Sequence, residues 1–448
     1  MVAARPAGRA GGGIARKRVL SIAHRSTTGE RAPIAYTVAR DAMRLSSPGH
    51  PHLTYCTNIH PGETWAEVRG NLERYVLAVR REVAPDRRFG VGLRLSAQAA
   101  ATLAEPAELE AFRGFLATQG LYVFTINGFP YGVFHGARVK EAVYLPDWMD
   151  EARLVYTDRL AELLAALLPD EPDLDGSVST VPGAFKARVA GEGDAARMAE
   201  LMLRHAATLA RVRERTGKIV CLALEPEPCC HLETVAETVA FFERHLFSRA
   251  AAERLAALTG LGHAEAEAFL RRHLGVCFDA CHMAVEFEEP GAALDAFQAA
   301  GIRVGKIQIS AGLAVGLAGG DPAALEALRP FAEGVYLHQV VERRPGGLRR
   351  FVDLPEALAA AGRDGGEPRE WRIHFHVPLF RERLGRFLNT QGYLRAVLAR
   401  LRRETPSRHL EVETYTWDVL PEEYRREGIV GDVARELRWV IDQMTGVP

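Results

Sequence analysis

The chain is expected to fold as an α/β protein, a (β/α)8 TIM barrel with an insertion between strands seven and eight. Three observations carry that expectation. Eight short β-rich runs recur between residues 53 and 415, and amphipathic helical stretches separate most of them. No G-x-G-x-x-G turn follows the first run, which argues against a dinucleotide-binding open sheet. Strand–helix alternation with short linkers makes right-handed βαβ units and a parallel sheet, and eight strands are the number that closes.

The expected strands are LTYCTNI (53–59), FGVGLRLS (89–96), LYVFTIN (121–127), GSVSTV (176–181), KIVCLALE (218–225), LGVCFDA (274–280), VGKIQIS (304–310) and HLEVETY (409–415). Helical periodicity fills 64–83 and 196–217, and the second stretch stops at Gly217, a helix C-terminal signal. Residues 322–400 are too long for one crossover. They contain two strand-like runs around Pro345-Gly346-Gly347 and a third in WRIHFHVPLF (371–380), so the segment is expected to be an insertion between strands seven and eight, near the catalytic face.

The N-terminus through Arg18 is basic and Gly/Ala-rich without the apolar block of a secretory signal, and Met43 is a plausible alternative start. Residues 1–42 are therefore expected to be a largely disordered extension, and 43–448 the barrel domain. A net charge of −1 over 448 residues gives no whole-chain attraction for nucleic acid, and no uninterrupted apolar run is long enough for membrane insertion. Six cysteines lack a paired CxxC arrangement, which points away from a zinc knuckle and towards reduced thiols in the cytoplasm.

Polar residues gather at one end of several strands. Strand five stops at Glu225-Pro226-Glu227, strand six at Asp279 with His282 three places on, strand seven carries Gln308 and Ser310, and strand eight carries Glu411 and Glu413. In a parallel barrel these ends share one face, so residues distant in sequence converge there. Carboxylates from three strands repel each other unless a cation relieves them. Carboxylate, imidazole and amide-oxygen donors suit a divalent Mn, Mg, Co or Zn ion.

The candidate metal ligands are Glu225, Asp279, His282, Gln308, His376 and Glu413. The candidate catalytic pair is Glu225 and Glu413. The candidate substrate contacts are His60, Asn127, Lys140, Lys186, Glu227 and His374. Each position has a plainer alternative. Glu225 and Glu227 can cap a helix, Asp279 can be an N-cap, and Glu413 can be a solvated rim residue. His374 and His376 share one side of a strand that can simply face solvent, and His60 can be a bystander.

LTYCTNIHPGETW, NGFPYGVFHG, VYLPDW, STVPGAFK, LEPEPCC, GVCFDACH, KIQISAGL, HFHVPLF and LEVETYTWDVLP together resemble the EboE family of metabolite traffic proteins of the ebo gene cluster. More broadly, Glu225, FDACH and Glu413 resemble the xylose isomerase-like superfamily of sugar-phosphate isomerases, epimerases and endonuclease IV. The resemblance implies a cytoplasmic TIM barrel in a secondary-metabolite pathway, with other ebo-cluster proteins as partners. It also implies metal ligands at Glu225, Asp279, His282 and Glu413. It departs at strand seven, where Gln308 stands in place of the usual histidine, and His376 is the alternative donor.

Three functions fit. One is an isomerase or epimerase of a sugar, polyol or cyclitol, with Glu225 and Glu413 exchanging a proton beside a metal-polarised carbonyl. Another is a metal-dependent hydrolase of phosphoesters, drawing also on His60, His338 and His374. The third is a metabolite-binding protein without chemistry.

Overall fold

The computed structural model describes residues 43–136, 138–171, 173–317, 321–361, 367–425 and 428–445. The expected extension, 1–42, lies outside them. The first seven strands are β1 (His52–Tyr55), β2 (Phe89–Arg94), β3 (Leu121–Asn127), β4 (Gly176–Thr180), β5 (Val220–Leu224), β6 (Leu274–Asp279) and β7 (Arg303–Ile309). A second group follows: β8 (Leu313–Leu317), β9 (Val340–Arg344), β10 (Gly347–Phe351), β11 (Arg369–Ile373), β12 (Arg383–Leu384) and β13 (Phe387–Asn389). The chain then returns as β14 (His409–Val412).

β1 to β7 and β14 form one parallel sheet in the order β1-β14-β7-β6-β5-β4-β3-β2, so the last strand wedges between the first and the seventh. The eight barrel strands lie where the β-rich runs predict them. The seam between β1 and β2 closes through one parallel bridge, Cys56 to Gly92. The Thr54 hydroxyl completes it, donating to Gly90 O at 2.7 Å and accepting from Gly92 N at 3.0 Å. Gly92 is required here: a Cβ would collide with the Glu411 carboxylate and lie 2.6 Å from Tyr55 O.

Helices cover the outside. The 64–83 periodicity becomes Trp65–Val83 with one π turn over Leu72–Val76, started by a Thr64–Glu67 capping box. Glu192–Thr216 ends at Gly217, whose φ of 70° is the left-handed conformation that glycine adopts without strain. Glu151–Leu167 and Gly428–Thr445 are the other long barrel helices. No helix among the described residues is long and apolar enough to cross a membrane.

The barrel lumen is polar and layered, because strand residues alternate between lumen and helices. In one layer His409 Nδ1 meets Ser177 Oγ at 2.8 Å, and that hydroxyl donates to Thr125. Two residues along β14, Glu411 pairs with Lys306 at 2.5 Å, and the Lys306 amine also reaches Ser179 Oγ at 3.3 Å across the lumen. Burial by itself would lower the Lys306 pKa, but the Glu411 charge outweighs it and holds the amine protonated. Glu411 therefore serves the barrel core, whereas Glu413, two residues on, reaches the mouth.

The remaining strands build an antiparallel sheet in the order β10-β9-β11-β8-β13-β12. β9 and β10 are the hairpin around the Pro-Gly-Gly turn, with Val340 opposite Phe351. This sheet begins at Leu313, earlier than the expected 322. β8 leaves β7 after only three residues and pairs with β11, Leu313 opposite Ile373. That pairing carries the residues after β11 to the carboxyl ends of the barrel strands.

Candidate metal centre

The Asp-x-x-His spacing acts as a local unit. Asp279 ends β6 and caps the short helix Ala280–Val285, its Oδ1 accepting from His282 N at 2.9 Å and from Ser310 Oγ at 2.8 Å. One carboxylate oxygen is thereby committed. The other, Oδ2, is buried without a partner. The same capping turn sets the His282 ring over the mouth, with Nδ1 on Pro226 O at 3.1 Å. Pro226 follows Glu225, so strands five and six are joined through this imidazole.

His374 and His376 come from the end of β11. His374 N bonds to Gln339 O and Val377 N to Ala311 O, both at 2.9 Å, which stretches 374–377 across the mouth. Alternation then puts both imidazoles inward and Phe375 against Phe331. His374 Nδ1 lies 2.7 Å from Gln339 Oε1, and His376 Nδ1 lies 2.7 Å from Glu413 O. The Gln339 amide is oriented by its own donations to Tyr144 Oη at 2.8 Å and Glu227 Oε1 at 3.0 Å.

Each of the three rings thus gives Nδ1 to an oxygen that can only accept. Nδ1 is the protonated nitrogen, and Nε2 carries a lone pair. These Nε2 atoms converge: His282 to His374 at 3.0 Å and His374 to His376 at 3.3 Å. Burial lowers His282 and His376 to about 3, so both are neutral at physiological pH.

Three overlapping sets of donors lie within 4.8 Å: His282, His374 and His376; Asp279, Cys281 and His376; and Glu225, Asp279 and His282. Glu225 Oε2 is buried and unpartnered like Asp279 Oδ2. Imidazole Nε2 atoms turned towards one another, next to orphaned carboxylate oxygens, fit a divalent ion. Burial, and then the Glu413 and Asp279 charges, push Glu225 well above the usual carboxylate range. Burial, then Asp279 and Glu411, do the same to Glu413.

Glu413 stands beside this cluster and outside the three donor sets. Its Oε1 accepts from Asn58 Nδ2 at 2.8 Å and Asn127 Nδ2 at 3.0 Å, so β1, β3 and β14 together fix the carboxylate. Glu227 is tied to Tyr144 Oη at 2.7 Å and lies 3.3 Å from His374 Nδ1. Burial raises Glu227, but the His374 hydrogen bond and the neighbouring imidazoles outweigh it and hold the carboxyl at about 2. A cavity opens above, lined by Asn58, Asn127, Glu225, His282, His374 and Glu413 among others.

The remaining nominated residues are placed elsewhere. Gln308 turns its Oε1 to the Cys277 thiol at 3.2 Å and is outside every donor set; Cys277 lies on the neighbouring strand, two residues before Asp279, the register partner of Gln308. His60 stacks on Tyr75 at 4.4 Å and bonds to Tyr55 Oη, away from the cavity lining. Lys186 is engaged by Glu233 and Glu237 and does not line the cavity either. Lys140 does line it, but its amine is held by Asp353 at 2.7 Å and by two backbone carbonyls. Asn58, Gln339, Cys281 and Tyr415 were not nominated. Asn58 closes an already apolar run, and Gln339 acts only through a fold contact 35 residues from His374.

No family model and no curated protein matches the sequence. Among solved structures the chain is similar to the probable 3-DHS dehydratase AsbF of Bacillus anthracis, at 13% identity and TM-score 0.41, covering 86% of this chain and 97% of that one. It is similar to the IolI protein with a zinc atom, at 10% identity and TM-score 0.41, covering 88% and 98%. It is also similar to a xylose isomerase-like TIM barrel protein of Mycobacterium smegmatis in complex with magnesium, at 14% and 0.42, covering 91% and 96%. With overlaps this low, the fold assignment rests on the strand order and closure of the barrel itself.

Proposed function

We propose that the chain is a divalent-metal-dependent enzyme of the isomerase or epimerase type, acting on a sugar, polyol or cyclitol-like metabolite in the manner expected of an EboE-like protein. The observation that carries this reading is the overlap of three donor sets, His282–His374–His376, Asp279–Cys281–His376 and Glu225–Asp279–His282, in residues that also hold buried carboxylate oxygens without a partner. His282, His374, His376, Asp279 and Glu225 would hold the ion. When bound, it supplies Lewis-acid polarisation of a carbonyl or hydroxyl oxygen.

The chain's own residues do the rest. Asn58 and Asn127 hold Glu413 in one orientation beside the cluster. A carboxylate held in this way is placed to take a proton from carbon. Glu225 would return that proton through the oxygen not bound to the ion. Six free thiols favour a reducing compartment, and cytoplasmic residence is part of this reading.

A two-ion hydrolase is the second reading, because the overlapping sets contain six donor residues, more than the four that a tetrahedral ion takes. Metal analysis of the purified protein, followed by titration of the stripped protein with Zn²⁺ and Mn²⁺, tests both. One ion per chain supports the isomerase, two support the hydrolase, and none overturns both. Turnover is then sought by incubating metal-loaded protein with fractionated metabolite extracts.

A further inference from the structure

The cavity above the cluster combines the polar residues named above with a mostly apolar wall. Its walls are Phe129, Phe134, Val143, Tyr336, Leu337 and Tyr415. Phe134, Tyr336 and Tyr415 form a ring cluster of their own, centroids 5.1–5.5 Å apart, separate from the main core. A second hollow lies outward and shares Pro130, Val139 and Val143 with the first. Its rim carries Val133 and Leu145, which are 56% and 40% exposed. They are two of the five large apolar side chains exposed most among the described residues.

A largely apolar wall, with the charged Arg138 on its outer part, therefore extends from the surface to the cavity over the candidate metal centre along the segment after β3. Along these walls only the Tyr336 and Tyr415 hydroxyls could pair with a ligand, so a fully hydroxylated one would leave most of its outer hydroxyls against apolar side chains. Lys140, the cation in the inner cavity, is already held by Asp353 and two carbonyls, so a phosphate finds no free charge there. Continuity of the two hollows selects the occupant: one molecule with two ends of different chemistry.

We infer that the substrate is amphipathic, with an oxygen-bearing head at the histidine–carboxylate cluster and an apolar substituent lying past Val143 towards Val133. This rests on the reading of the cluster given under Proposed function and narrows its substrate class. Specificity then comes from the apolar wall, since any polyol head satisfies the base of the cavity.

The test uses n-alkyl β-D-glucosides, methyl to octyl, titrated below their micelle concentrations into full-length Mn²⁺-loaded protein. Affinity should rise with chain length, by up to about fourfold per methylene buried. Val143→Asp and Val133→Asp should each flatten the series while leaving metal content unchanged, because neither residue is among the metal donors. A flat series in metal-loaded wild-type protein, no binding by any member, or a gradient that survives both substitutions overturns the inference. Metal content read on the same samples separates the two readings. Protein that takes up no metal yet keeps a Val143-dependent gradient sinks the metal reading alone.

Discussion

His282 and His374 meet through their Nε2 atoms at 3.0 Å, while Pro226 O and Gln339 Oε1 hold the opposite nitrogens. Two lone pairs directed at one another at that distance repel, and something positive between them turns the contact into chelation. Burial keeps His282 from supplying the charge by protonation, since its pKa is lowered to about 3. A cation answers the arrangement.

Removing His374 should weaken metal binding most visibly. His374→Ala is expected to cost more than the 10–100-fold, in rough terms, that loss of an outer support costs. Gln339→Ala, which frees the His374 Nδ1 support, should fall within that 10–100-fold range. Competitive titration with a chromophoric chelator measures both. Equal affinities for wild type and His374→Ala would remove this ring from the centre.

Glu413→Gln should separate binding from chemistry. The Gln oxygen can still accept from Asn58 and Asn127, so the fold and metal content should match wild type. The proton-accepting carboxylate is gone, so turnover of whatever substrate the extract screen identifies should drop by about 100-fold or more. Retained turnover would show that Glu413 is not the base.

Lys306 and Glu411 form an ion pair with no solvent exposure, so breaking it leaves an uncompensated buried charge. Lys306→Met should cost about 3–5 kcal/mol, read by urea denaturation. Lys306→Met with Glu411→Leu should recover much of that, because the orphaned charge leaves with its partner. A double variant no more stable than Lys306→Met would mean the pair is not coupled as described.

Glu436 supplies a pH dependence away from the metal ligands. Its Oε1 accepts from Thr414 Oγ1 at 2.7 Å and Leu379 N at 3.1 Å, and burial raises its pKa to about 8. The folded state therefore binds this proton more tightly than the unfolded chain does. The stability it contributes is fully present below the unfolded carboxyl range and is lost as pH rises towards 8. At about 1.4 kcal/mol per unit, the loss between pH 5 and 8 amounts to a few kcal/mol. Glu436→Gln should flatten that slope in denaturation curves, and an unchanged slope would assign it to another group.

Much of this protein was legible from residue order. Alternation of β-rich runs with helical periodicity decides the eight barrel strands, because each pattern must bury its own apolar face. Gly217 ends its helix for a reason local to one residue. Asp279 and His282 could be paired from spacing alone, since N-capping is itself a three-residue relation. Other decisions waited for the tertiary structure. Glu411 and Glu413 look alike in sequence, yet one neutralises Lys306 in the lumen and the other meets Asn58 and Asn127 at the mouth. Gln308 and His376 stood as alternatives, and only the pairing of β11 with β8 carries His376 and His374 to the mouth while Cys277 claims Gln308. Local propensity reaches a few residues along the chain. Donor sets that draw on β5, β6 and a second sheet depend on contacts some 90 to 150 residues apart, and the closing of the barrel and the register of its inserted sheet are what make those sets overlap.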